Sequence, residues 1–561
     1  MPGFFSHAAV AADHPLASGA GVSILQQGGN AVDAAVATSF ALSVVRPYSC
    51  GVGGGGFMLV YGSGKDARIS GTHVLDYRET APAHLSPDFF EKVSDPDAST
   101  RSGQAVGIPG HVAGMLEALD RWGTLSRARV LAPAIALARA GFEADAHYVT
   151  SAMEIATWMQ RDISRTQRFE WTWRRLLKQG NVKVGDHIDT SGQAELCERI
   201  VREGAAGFYG GEVAKAIVDA VHADGGELTL EDLATYRPRY RAAFATAFQG
   251  NRLLSMPPPS SGGLVLAQVL SMLELRSNDL RDVVALSKAG ASSNPQYVHP
   301  EYIHLVCEAA KHAFADRARW LADTDFVDVP IETMLDPQRL QRAAESIRLG
   351  CTNEQHSYGV APVPREDHGT SHLSVVDEAG NAVACTETIN LEFGSLVAVP
   401  QFGFCLNDTI DDFAVRSGKA NAFGLMQSAK NAPQPGKRPL SAMTPSIVLG
   451  NDGRVRIVAG GSGGPRIISA TLQSMLNVLL FDRGALDAVS QPRFHHQWSP
   501  HVLQLEPALL NSPVADALRA MGHEVNQRSP IGTVQLIRSR SDGHGWDAAS
   551  DPRKGGLALG Y

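Results

Sequence analysis

The 561-residue sequence predicts a layered fold of mixed helices and sheets, and three stretches carry that prediction. Residues 31–45, AVDAAVATSFALSVV, read as a buried helix by length and alanine content, and a glycine-bounded apolar run, GFMLVY (56–61), then reads as a buried strand. Residues 370–390 hold two alternating runs, TSHLSVVD and AVACTETIN, around a Gly-Asn turn, the pattern of a β-hairpin. Residues 454–481 read as strand, glycine loop and helix. Strands and helices in such an order stack in layers.

The other elements follow in chain order. Ser18 to Gln27 has helical apolar spacing and stops at Gly28-Gly29. Residues 110–320 are expected to be mostly helical, with turns at GFYGG and MPPPSSGG. Residues 340–368 are polar without periodicity, which predicts an exposed loop. A Gly/Ala/Asn/Pro/Lys-rich stretch at about 414–439 predicts a long loop of the kind that serves as a lid or binding segment. There is no internal repeat.

Composition narrows the function classes. Hydrophobic residues make up 44% and charged residues 19%, an ordinary globular balance. The net charge of −8 argues against non-specific nucleic-acid binding. The six cysteines are scattered without a CxxC, so neither structural zinc nor a disulfide framework is implied, and no metal or cofactor is expected. No stretch reaches the roughly 18 apolar residues of a membrane span. The N-terminus lacks a basic start and a continuous apolar core, so it does not read as a signal peptide. The expectation is therefore a cytoplasmic protein if the chain is complete.

Chemistry concentrates around Thr370. Pairing Asp377 with Ala382 across the turn would set Thr370 opposite Ile389, one residue from Thr388 and Asn390, and a one-residue slip would place one of those two directly opposite. Two hydroxyls and an amide would then gather at the start of the strand. A threonine-rich hairpin is also what β-propensity alone produces. A threonine hydroxyl needs a neighbouring base, and a chain-terminal threonine carries one in its own α-amine, which titrates near about 7.7–8.0. Thr370 gains that amine only if the Gly369–Thr370 bond is cut. The run GGSGGPR (460–466) would aim backbone N–H groups outward at a helix start, an arrangement suited to an oxyanion hole, to a plain turn or to phosphate; the missing GK[ST] ending disfavours nucleotide binding.

These segments resemble those of γ-glutamyltranspeptidases. The resemblance is carried by TSHLSVVDEAGNAVACTETIN, LNDTIDDF (406–413), KRPLSAMTPSIV (437–448), GGSGGPRII (460–468), PRFHHQW (492–498) and the closing DPRKGG. Upstream it continues in GNAVDAAVA (29–37), GVGGGGFM (51–58), LDYRETAP (75–82), GIPGHVAG (107–114), GFYGGEVA (207–214) and MPPPSSGG (256–263). The blocks run in order through nearly the whole chain.

The resemblance implies an α+β fold, the four-layer αββα sandwich of N-terminal-nucleophile hydrolases. It implies a precursor cut before Thr370 into residues 1–369 and 370–561, which stay together as an intertwined heterodimer acting on small γ-glutamyl compounds such as glutathione. Carried over by position, Thr370 is the nucleophile and Thr388 its hydrogen-bonding partner. Gly463 and Gly464 supply oxyanion N–H groups, Arg78 and Ser441 hold the substrate α-carboxylate, and Asn390 and Asp412 hold its α-amino group. If a leader precedes the chain, the resemblance implies a periplasmic or secreted protein. Three positions depart from the pattern: Ala442 stands where a second serine is usual, Thr409 where Glu or Gln is usual, and Phe423 where bacterial members carry the lid tyrosine.

Two motifs are read as decoys. Gly51-x-Gly53-x-x-Gly56 leads into an apolar strand instead of a helix, unlike a dinucleotide fingerprint. His495-His496 has no third ligand at zinc spacing and reads as packing, and His372 is expected to be structural. The rival activities are a cephalosporin or glutaryl acylase and a poly-γ-glutamate-cleaving enzyme. A rival of another class is a binding protein that never matures.

Overall fold

A computed structural model describes residues 3–66, 68–292, 294–359, 369–415, 428–540 and 543–561. Two seven-stranded antiparallel sheets form its centre. One runs, edge to edge, through Gly3–Phe5, Trp546–Ser550, Thr533–Ser539, Val455–Ser462, Ser446–Leu449, Asn251–Ser255 and Phe244–Phe248. The other runs through Leu559–Gly560, Ala9–Ala12, Ser371–Val376, Ala382–Thr388, Gly55–Ser63, Ser70–Tyr77 and Arg239–Arg241. Each sheet interleaves strands from before and after position 369.

Side-chain alternation sorts the sheets into layers. Ala11, Phe57, Leu59, Ala384, Ile447, Val458 and Ile537 meet in a core between the two sheets. Val10, Val60, Val375, Val383 and Cys385 face outward onto helices that include Pro15–Gln26 and Ala31–Val45. Ile457, Ala459, Val534 and Leu536 face the other way, onto helices that include Gly262–Leu275, Pro300–Trp320 and Arg466–Phe481. The result is helix, sheet, sheet, helix, as the resemblance implies.

Local chemistry explains the elements that position the site. Helix Ala31–Val45 is buried at every position, so its hydrophobicity runs all round. Asn30 Oδ1 accepts from the Val32 and Asp33 N–H groups, and Asp33 Oδ2 accepts from the Asn30 N–H in return, a complete capping box. Helix Pro15–Gln26 starts three residues earlier than its apolar spacing suggests, because Pro15 takes the first-turn position where no N–H is needed.

The hairpin register corrects the expectation. Val376 pairs with Ala382 and Ser371 with Glu387, so Thr370 falls opposite Thr388, not Ile389. Asp377 belongs to the turn: its N–H donates to the Asn381 carbonyl at 3.1 Å, while its carboxylate accepts from Asn381 N and Nδ2, both at 2.9 Å. The three-residue loop ends on Gly380 at φ +85°, the left-handed position such hairpins require. One further expectation falls. Residues 337–346, predicted in part as loop, form a helix capped by Asp336. The region 110–320 is mostly helical, as expected, and also contains strands Arg239–Arg241, Phe244–Phe248 and Asn251–Ser255, which close one edge of each sheet.

Candidate active site

Thr370 precedes strand Ser371–Val376, where its side chain shares the inter-sheet face with His372 and Ser374. It is buried, and its Oγ1 lies 3.2 Å from Thr388 Oγ1. Both hydroxyls contact the Gly369 carbonyl oxygen, Thr388 Oγ1 at 3.1 Å. Thr388 Oγ1 also accepts from the Asn390 N–H at 2.8 Å, which fixes its orientation. Gly369 has no room for a side chain, since a Cβ would lie 2.3 Å from the Asn390 carbonyl oxygen.

A polar cradle holds the backbone at the same point. Ser49 Oγ donates to the Thr370 carbonyl at 2.7 Å, and the Thr370 N–H points to Ser49 Oγ at 3.2 Å. Lys554 Nζ donates to the same carbonyl, to Ser49 Oγ at 3.0 Å and to Asp13 Oδ2 at 2.7 Å. His372 is not part of this cradle. Its ring shares hydrogen bonds with Thr386 Oγ1 at 2.7 Å and Ser374 Oγ at 3.1 Å, and burial pushes its pKa down to about 3.

Arg78, Asn390, Asp412, Ser441 and Gly464 line one pocket with Thr370 and Thr388. Gly463 and Gly369 line a second hollow on the other side of Thr370. Strand Val455–Ser462 and helix Arg466–Phe481 flank the glycine loop as expected, with Gly463 at φ +121° and Gly464 at φ +58°. Arg78 is fully buried and bonds both Asp412 Oδ2 and Glu79 Oε2, the latter at 3.2 Å. Asn390 Nδ2 donates to the Asp408 carbonyl at 3.1 Å, and burial holds the Asp408 carboxyl well above its usual range. Ser441 Oγ accepts from the Met443 N–H at 3.1 Å.

The departures sort differently in space. Ala442 lines the Thr370 pocket. Thr409 donates to Glu79 Oε1 at 2.8 Å, so it acts on Arg78 through Glu79. Phe423 lies outside the described residues. Sequence reasoning passed over Ser49, Glu79, Lys554 and Asp13. Glu79 sits in the same block as Arg78 and Lys554 in the closing block, so the block pattern held a signal for both.

Among the described residues, one histidine–glutamate group has the spacing of metal ligands: atoms of His304, Glu308 and His523 lie within 4.8 Å of one another. Lys311 Nζ already occupies Glu308 at 2.6 Å, and His304 Nδ1 shares a 2.7 Å hydrogen bond with His523 Nε2. An ammonium in that place opposes a second cation. His495 shares a hydrogen bond with Ser469 Oγ at 2.8 Å, and His496 Nδ1 accepts from the Trp498 N–H at 3.1 Å, both as packed residues. All six cysteines are unpaired.

The sequence model described as Gamma-glutamyltranspeptidase matches residues 17–561. The chain belongs to the γ-glutamyltranspeptidase family. It is 39% identical to the glutathione hydrolase proenzyme of Pseudomonas aeruginosa, an alignment covering 98% of this chain and 94% of that one. The solved cephalosporin acylase of Bacillus halodurans superposes with a TM-score of 0.81 at 25% identity, covering 100% of this chain and 97% of that chain. The solved γ-glutamyltranspeptidase of Helicobacter pylori matches with a TM-score of 0.54 at 32% identity, covering 62% of this chain and 93% of that chain. The fold of this family is the sandwich described above. No helix among the described residues is long and apolar enough to cross a membrane.

Proposed function

We propose that this γ-glutamyltranspeptidase family member matures by cutting its own Gly369–Thr370 bond and then cleaves γ-glutamyl amides through Thr370. The observation that carries the reading is the pair of hydroxyls, Thr370 and Thr388, 3.2 Å apart against the Gly369 carbonyl. In maturation, Thr370 Oγ1 adds to the Gly369 carbonyl carbon and the C–N bond breaks. The hydroxyl proton passes to the departing amine, and water then hydrolyses the ester. Residues 1–369 and 370–561 result, the latter beginning with the amine that serves as base. The Helicobacter pylori chain, which aligns with 62% of this sequence, fits a division of that size.

In turnover, the same hydroxyl attacks the γ-carbonyl of the donor, releases its amine and passes the γ-glutamyl group to water or to an acceptor amine. The Gly463 and Gly464 N–H groups receive the developing oxyanion. The Arg78–Asp412 ion pair gives the donor selectivity. An α-amino acid end carries one carboxylate and one ammonium, so it can insert between the two charges and satisfy both, with Ser441 and Asn390 alongside. A buried pair opened by a singly charged diacid would leave Asp412 uncompensated, which is costly.

A cephalosporin or glutaryl acylase activity is the second reading, favoured by the superposition on the Bacillus halodurans acylase. Purified protein should run as two chains under denaturing conditions, the smaller beginning Thr-Ser-His, and should hydrolyse γ-glutamyl-p-nitroanilide faster than glutaryl-7-aminocephalosporanic acid. Uncut protein with full activity would refute the Thr370 assignment. Preference for the glutaryl compound would transfer the site to the acylase reading.

A further inference from the structure

The pocket around Thr370 contains a second guanidinium. Arg317, in the last turn of helix Pro300–Trp320, lines it together with Arg78, Asp412, Ser441 and Ala442. Its side chain is buried, with the residue 1% exposed. Its Nε donates to Ser261 Oγ at 3.0 Å. Ser261 in turn donates to the Ser441 carbonyl, from N at 2.8 Å and from Oγ at 2.7 Å. Arg317 thus stands behind the same wall that carries Ser441.

The two arginines differ in how their donors are used. Arg78 is paired with Asp412 and Glu79. Arg317 has no carboxylate oxygen within 4.0 Å among the described residues, and its Nη1 is buried with no hydrogen-bond partner. A guanidinium stays protonated in proteins. Burial lowers the Arg317 pKa to about 10, with Asp412 acting in the opposite sense, and that still leaves a cation at neutral pH. A buried cation with an unused donor edge calls for an anion, and the side of the pocket it lines is the one where a donor's carboxylate would lie.

We propose that Arg317 is a specificity residue whose unused guanidinium edge takes the α-carboxylate of the donor together with Arg78. The inference rests on the γ-glutamyl reading of the site. When the donor ammonium draws Asp412 from Arg78, the carboxylate meets two converging forks, one from the strand side and one from the helix. The pocket then presents two guanidiniums and the Asp412 carboxylate to a donor end that carries one carboxylate and one ammonium, while Glu79 stands against Arg78 outside the pocket lining.

The test compares two anilides that differ by one carboxylate, γ-glutamyl-p-nitroanilide and 4-aminobutyryl-p-nitroanilide. Arg317→Gln removes the charge while keeping a side chain able to reach Ser261. It should raise KM for the γ-glutamyl donor by about ten- to hundredfold, the scale of a lost charge-assisted contact, with kcat within about threefold. The aminobutyryl donor should be unaffected, so the preference between the two collapses. Arg317→Lys should restore part of the preference, and it serves as the readout if Arg317→Gln does not mature. Equal losses on both donors, or a fall in kcat alone, would assign Arg317 a structural role and overturn the proposal. A wild-type enzyme with no preference for the γ-glutamyl donor would instead refute the underlying reading of the pocket.

Discussion

At the scale of single residues, the proposed chemistry turns first on two hydroxyls, Thr370 and Thr388, 3.2 Å apart. Thr370→Ala removes the attacking oxygen, so the variant should remain one full-length chain on a denaturing gel and release no p-nitroaniline. Thr388→Val keeps the shape and loses two contacts, to the Gly369 carbonyl at 3.1 Å, which serves cleavage, and to Thr370 Oγ1 at 3.2 Å, which serves turnover. It should slow both cleavage and turnover by roughly tenfold, the value of one net hydrogen bond at the upper end of its range. Unchanged rates in Thr388→Val would show that the second hydroxyl is a bystander. The threonines and Arg78 were legible in the sequence because they sit inside short, distinctive blocks. Ser49 was not, because it reaches the site by contact over great chain separation: Ser49 and Thr370 are 321 positions apart. Local patterning carries no record of such contacts.

At the scale of elements, two turns set the geometry. The hairpin turn fixes which residue faces Thr370, and its register was misread by one because Asp377 looked like the last strand residue by alternation. Its carboxylate is in fact used by Asn381 and by the Ala31 N–H at 3.0 Å, so it closes the turn and ties the hairpin to helix Ala31–Val45. Strands 239–255 were hidden for a different reason: they are short, three to five residues each, in a region rich in helical spacing. The glycine loop was fully legible, and it makes the sharper prediction. At Gly463 a Cβ would stand 2.9 Å from Gly532 Cα, at a φ of +121° that side chains resist. Gly463→Ala should therefore displace the loop and cost about 10²–10³ in kcat, the loss typical of one oxyanion donor, while the thermal midpoint changes little. An alanine variant with native kcat would remove the loop from the mechanism.

At the scale of the whole molecule, burial sets the response to acid. Among the described residues, ten histidines are held below their ordinary range chiefly by burial, including His372, His495 and His523 at about 3. Five buried carboxyls are pushed up and act in the opposite sense. Below about pH 6.5 the unfolded chain takes up protons that the folded histidines refuse, so their contribution falls as pH drops towards their folded values, by up to about 1.4 kcal/mol per pH unit for fully buried groups such as His372, His495 and His496 and by less for the partly exposed ones. With ten groups against five, the urea midpoint should decrease from pH 7 to pH 5. A midpoint that is flat or rising over that interval would show that the carboxyls dominate.

The interleaving of strands from both sides of position 369 gives the cut a direction in time. While the chain is continuous, folding can bring every strand to its neighbour within one molecule. Once the bond is gone, strand Ser371–Val376 still lies between Ala9–Ala12 and Ala382–Thr388, and neither piece retains a complete sheet of its own. On the proposed cut, the two pieces would stay together through slow unfolding, in the manner of a sprung lock whose key has been discarded, and their lifetime would be a rate. Urea-denatured Thr370→Ala precursor should recover its native circular dichroism on dilution. Mature enzyme taken through the same cycle should not recover, since each half now has to find its partner by diffusion while exposing unpaired strand edges that favour aggregation.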